Sequence, residues 1–179
     1  TDCDKPQTVG LTVTGGSIQA LEDIILRAYN KGTAQSIVKK GTEVSGIGIA
    51  QTSLPTNSWY STNVSVTGGA VLTAEGSITL TSEDTTEAKA DATGTNIGFA
   101  INADYTKGEN HITSNNTVTI GAKLQADDSL TVTADSKATM TAKTVADGGG
   151  FFTKGTLPAI NELIRSCLIT VAENSDLSA

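Results

Sequence analysis

The chain has 179 residues, 37% hydrophobic yet only 4% aromatic, with 12 basic against 19 acidic side chains and a formal charge of −7. That balance argues against nucleic acid, whose binding needs a positive footprint, and the aliphatic content is too high for a disordered chain. No stretch approaches the roughly 20 apolar residues of a membrane span, and no basic-then-apolar leader is present.

Along the chain, the first patterned segment is Gln19–Tyr29. Ile18, Leu21, Ile24, Ile25 and Ala28 recur at three- and four-residue steps, which predicts a short amphipathic helix. Trp59-Tyr60 follows as an adjacent aromatic pair in a chain with one Trp and three Tyr. Beyond it, Ile78/Leu80, Ala88/Ala90/Ala92, Val118/Ile120 and Leu130/Val132 alternate with Thr, Lys and Asp, the two-residue period of a strand. Turn signals separate these runs at Gly68-Gly69, Gly76, Gly94, Lys107-Gly108, Asn115-Asn116, Asp127-Asp128 and Gly148-Gly149-Gly150. Leu157–Ile164, with Pro158 near its start, predicts a second helical excursion.

The strongest signal is self-similarity. Ser77-Ile78-Thr79-Leu80-Thr81 returns as Ser129-Leu130-Thr131-Val132-Thr133, and Val66, Leu72 and Ala74 return as Val118, Leu124 and Ala126, both 52 residues on. The second set returns again, one residue late, as Val171, Leu177 and Ala179. Gly16-Ser17-Ile18 echoes Gly76-Ser77-Ile78 at a spacing of 60, so the first unit reads as about eight residues longer. A fixed period of this size indicates an array whose units bury their faces against one another. We expect residues 1–179 to form a single β-solenoid, with units near 17–76, 77–128 and 129–179 and the same polypeptide continuing at both ends. A unit of 52 divides into two coils of about 26 residues or three of about 17, giving a rod roughly 30–45 Å long. Cys3 and Cys167 then sit near opposite ends, too far apart to bond.

The chemical inventory is thin. His111 is the lone histidine and has no triad or metal signature around it, and it reads as a surface residue. Glu83, Asp84, Glu87 and Asp91 cluster after one strand, but sugar cleavage needs two carboxylates at a set separation, usually beside aromatic platforms. Calcium at acidic turns would call for the Gly-Gly-x-Gly-x-Asp nonapeptide, which is absent. Thr-x-Thr pairs at 12/14, 79/81, 117/119, 131/133 and 139/141 suggest an ice-binding face, yet their spacing along the chain is irregular. No catalytic residue, cofactor or metal ligand is assigned.

Ile97 to Asn102, Thr117 to Gly121 (after Asn116), Leu124 to Ala126 and Ser129 to Ala134 give the order small-Gly-apolar-Ala-apolar-Asn, variable loop, Asn-x-Val-x-Ile-Gly, apolar-x-Ala, Ser-apolar-Thr-Val-Thr-Ala. This order resembles the repeats of giant bacterial filamentous adhesins, the filamentous-haemagglutinin-like and leukotoxin-type exoproteins, over about two thirds of the chain. The resemblance implies a right-handed parallel β-helix, here with one or two short helical excursions. It also implies secretion to the cell surface and a non-catalytic stalk or adhesive role toward host or matrix molecules or neighbouring bacteria. Trp59 and Tyr60 are the expected partner contact. A polysaccharide-degrading β-helix and an ice-binding solenoid are the alternatives.

Overall fold

The computed structural model describes residues 6–39 and 43–179. Its strands are β1 (Gln7–Thr14), β2 (Ser17–Ala20), β3 (Ile24–Lys39), β4 (Glu43–Thr67), β5 (Val71–Ala74), β6 (Ile78–Ile120), β7 (Lys123–Ala126), β8 (Leu130–Gly149), β9 (Phe152–Thr156), β10 (Ala159–Val171) and β11 (Asp176–Ser178). The described residues form an all-β fold without helices, and all its strand pairings are parallel. β2, β5, β7 and β11 make a small four-stranded sheet, and the other seven strands make the large one.

Each strand pairs with the strand one sequence unit away. Ile24 lies opposite Ile78 and Ile78 opposite Leu130. Val66 lies opposite Ile120 and Ile120 opposite Val171. One 52-residue unit therefore contributes a single level of strands, not two or three. With strands about 4.8 Å apart, the four levels of the small sheet span about 14 Å between the outer strands. Each level is wide and the stack shallow, which replaces the expected 30–45 Å rod.

The width comes from β6. As one straight strand its 43 residues would reach about 140 Å, but contacts within it show that it doubles back. Asp84 accepts hydrogen bonds from Ser114 and Asn116, and the backbone at Gly108 lies against the Ala90 carbonyl. Residues before the reversal form one arm and residues after it form a facing arm. Over 78–94 and 106–120 side chains alternate between the space enclosed by the arms and the outside, so Ile78, Leu80, Val118 and Ile120 are fully buried while Thr79 and Thr119 are not. Those four close over Leu72 and Leu124 of the small sheet to form the main core, with Val64 and Val66 from the level before. Burying each such side chain contributes roughly 1.5–3 kcal/mol.

Two glycine features follow from this packing. Gly15-Gly16 and Gly68-Gly69 turn the chain from an arm into the small sheet with φ between 68° and 77°, the left-handed region that costs other residues energy. Gly32 faces the Tyr60 ring so closely that a Cβ would overlap it.

Neither predicted helix forms. Within Gln19–Tyr29, Gln19 and Ala20 end β2, Leu21 is exposed in the link, and Ile24–Tyr29 begin β3. Ile24 and Ala28 point inward and Ile25 points out, so the apparent helical spacing is a strand phase interrupted by a corner. Leu157-Pro158 leads into β10, and the Pro158 carbonyl accepts the Gly108 N–H at 3.2 Å. In both segments, ladder bonds to a neighbouring unit override a weak local period. The Gly16-Ser17-Ile18 echo is not used either: Ile18 pairs with Leu72, and Asp23 takes the place beside Ser77, whose N–H it accepts at 2.7 Å. Cys167 is a free, exposed thiol, and Cys3 lies outside the described residues.

Candidate functional site

Trp59 and Tyr60 sit on β4, and alternation separates them. Trp59 is turned outward at 38% exposure, opposite Thr113, whereas Tyr60 is 3% exposed and packs against Ala88 and Ile112. The two do not form one exposed aromatic pair: Tyr60 is part of the interior, and Trp59 alone is available to a partner. A cleft of about 370 Å³ borders them, lined among others by Thr33, Gln35, Ser36 and Thr56, and none of its lining side chains among the described residues is charged. The Thr56 hydroxyl is buried there without a hydrogen-bond partner. A cleft of this size and uncharged lining matches the dimensions of small-molecule sites.

A second surface comes from register alone. On the outward side of the arm formed by β1, the end of β4, the end of β6 and β10, Thr12, Ser65, Thr119 and Thr170 fall in one row across four strands. Thr8, Ser61, Asn115 and Ser166 make the row four residues earlier, and Thr14 pairs with Thr67. These rows carry hydroxyl and amide groups without charge, spaced about 4.8 Å between strands, and the two rows lie about 13 Å apart along them. The Thr-x-Thr pairs that look irregular along the chain include both arms, which the fold separates.

The acidic cluster is likewise divided. Glu83 points outward, where it meets Arg27 at 2.7 Å and Lys137 at 3.6 Å, and Glu87 and Asp91 share its face. Asp84 points inward and is 1% exposed. Its carboxylate accepts the Ser114 hydroxyl at 2.7 Å, the Thr86 hydroxyl at 3.3 Å and the Asn116 amide. Ser136 extends this chain by donating to the Ser114 oxygen at 3.0 Å, and Ser82 donates to the Thr62 carbonyl at 2.8 Å. The interior is therefore apolar beside the small sheet, polar at mid-arm, and filled by Ala88, Ala90 and Ala92 further out. Sequence reading missed this band, although Ser82, Asp84 and Thr86 continue the inward phase of Ile78 and Leu80. Buried carboxylates with full hydrogen-bond shells specify one arrangement of their neighbours.

His111 lies on the outer face, its Nδ1 2.7 Å from Glu162 and its Nε2 3.9 Å from Glu109. Glu109 also pairs with Lys107 and raises the pKa of that ammonium by hydrogen bonding. Lys137 is raised in the same direction, first by its hydrogen bond to Asp135 and then by the charges of Asp135 and Glu83. Among the described residues, no three His, Cys, Asp or Glu side chains converge as a metal site, and no helix is long and apolar enough to cross a membrane. Comparison with protein-family models, with curated proteins and with solved structures found no match.

Proposed function

We propose that this chain is a non-catalytic structural and adhesive segment of a secreted bacterial surface adhesin, built as a right-handed parallel β-solenoid with one coil per unit of about 52 residues. The observation that carries the structural half is the parallel register, in which residues 51 to 54 positions apart pair across every level, with one shift between Ser45 and Ile47. Stacked ladders of this kind resist extension because each level is hydrogen-bonded along its length to the next. The adhesive half draws on the resemblance of the repeat to filamentous adhesins, and Trp59 is the side chain best placed to meet a host or matrix molecule. An outward Trp beside an uncharged polar cleft can bury a large area on a partner. What speaks against catalysis is the division of the acidic cluster, since Asp84 faces the interior and cannot share a substrate with Glu83.

The test is binding of the chain to host-cell and matrix surfaces, with Trp59→Ala as the variant. Loss of binding with an unchanged far-UV dichroism spectrum supports the reading, and undiminished binding removes Trp59 from it. Incubation with acidic polysaccharides should release no new reducing ends.

A second reading, ice binding, is favoured by one observation: the uncharged row Thr12, Ser65, Thr119 and Thr170 on the outward side of that arm. Thermal hysteresis decides it. A measurable freezing gap that Thr119→Tyr abolishes would favour an ice face over an adhesive one.

A further inference from the structure

Trp59 is the single tryptophan of the chain, and the register sets its neighbours on the outer face. Thr113 lies directly opposite it on the next level, and Ser61, two residues further along β4, lies opposite Asn115. Strand geometry puts Thr113 about 4.8 Å and Ser61 about 6.7 Å from Trp59, with Asn115 about 8 Å away on the diagonal. Ser61, Thr113 and Asn115 alternate with the buried Tyr60, Thr62, Ile112, Ser114 and Asn116 and are themselves only half-buried. An outward indole is thus bordered by two hydroxyls and a carboxamide, all held on a hydrogen-bonded ladder.

Charge and backbone narrow what such a patch can hold. In the row on the far side of Trp59, His111 and Glu162 face each other and are bonded at 2.7 Å, and Glu109 beyond them pairs with Lys107. These ionisable groups are engaged with one another, and the residues bordering Trp59 on the other side carry no charge, so an ionic ligand has no counter-charge to meet. Ser61, Thr113 and Asn115 each have a paired strand on both sides. The patch therefore does not depend on an open edge, and at these residues it offers no backbone to an added strand. Small hydroxyl side chains also give little of the apolar core that a protein interface needs. What fits is an uncharged ligand with a flat C–H face and many hydroxyls. A pyranose ring has both: its C–H face stacks on the indole, and its rim hydroxyls donate to and accept from hydroxyl and amide groups. We propose that Trp59, Ser61, Thr113 and Asn115 form a binding site for a neutral glycan. The inference rests on the adhesive reading above and names the class of partner that Trp59 meets.

With one tryptophan in the chain, fluorescence reads the site directly in the full-length protein. Titration with malto-, cello-, manno- and galacto-oligosaccharides should, for at least one of them, shift the emission saturably and shield it from acrylamide quenching. The midpoint should not move with added salt, because no ion pair forms. Heparin and hyaluronan fragments, the anionic probes, should leave the emission unchanged. Calorimetry with the best sugar should show Thr113→Val and Asn115→Ala each weakening binding about three- to tenfold, and Trp59→Ala weakening it at least about thirtyfold. Thr131→Ala, outward on the other arm, should bind as the parent does, and all four variants should keep the parent dichroism spectrum. No response to any neutral sugar would overturn the proposal, as would binding confined to the anionic fragments or binding that survives Trp59→Ala. Periodate oxidation of host-cell glycans separates this failure from failure of the adhesive reading. Under the proposal it abolishes attachment of the chain. Attachment that persists after periodate and still requires Trp59 removes the glycan and leaves the adhesive reading standing; a chain that binds neither sugars nor cells loses both.

Discussion

Leu124 and Leu177 occupy the same column of the small sheet, one level apart, yet truncating them should have very different costs. Leu124 is fully buried among Leu72, Ile120 and Ala126 of the main core, whereas Leu177 is 39% exposed on the outer strand. Leu124→Ala removes the transfer energy of the lost methyl groups and leaves a void that stacked backbones on both sides cannot collapse. Buried leucines in such settings lose about 3–4 kcal/mol on truncation. In a chain of this length each kcal/mol lowers the melting temperature by about 2–4 °C, so Leu124→Ala should melt about 10 °C below the parent. Leu177→Ala already has solvent on one side and should cost about 1 kcal/mol, a shift of about 3 °C. Both are read from thermal melts followed by far-UV dichroism, with urea titration as a second measure. Equal shifts in the two variants would refute the assignment of interior and edge levels.

Gly69→Ala adds only a methyl group in open space but at φ 73°, and should destabilise by about 1 kcal/mol. Gly149→Ala, also in open space, should leave the urea midpoint unchanged. Gly32→Ala forces the Tyr60 ring to move and should cost about 1–3 kcal/mol, visible as a lower melting temperature. Asp84→Ala leaves the Ser114, Thr86 and Asn116 donors unpaired in the interior and should cost about 3 kcal/mol, with Asp84→Asn milder in the same melt. The ammonium pKa values of Lys107 and Lys137 lie above 10.5 when folded. Their ion pairs therefore contribute fully below pH 10.5, and the contribution is lost as pH rises through the raised values. An NMR titration should show the Lys137 midpoint falling back toward 10.5 in Asp135→Asn.

The parallel all-β character of the fold was legible in the sequence because stacking places like residues on like. Ile78 and Leu80 meet Leu130 and Val132, so the motif repeats that catch the eye are the strand pairs themselves. Much less legible was how a unit is laid out. Strand periodicity says which side chains point inward, but not that β6 reverses between its two halves; that depends on Asp84 facing Ser114, 30 residues on. The predicted helices failed for a related reason. Ile24, Ile25 and Ala28 look helical in isolation, and only the ladder to Ile78–Ser82 shows that Ile25 points out. Trp59-Tyr60 is the same lesson at the candidate site, since adjacency in a strand guarantees opposite faces. The hydroxyl rows were hidden because Thr12, Ser65 and Thr119 are aligned by spacings of 53 and 54, and not by a uniform 52.

The central claim is that one 52-residue unit makes one level of the stack. Spin labels at Thr12 and Thr170, both outward and in one row, test it by pulsed dipolar spectroscopy. Three levels place their backbones about 14 Å apart, whereas coils of 26 or 17 residues would separate them by about 29 Å or about 43 Å. A distance distribution centred below about 20 Å is the predicted result, and a peak near either longer distance would contradict it.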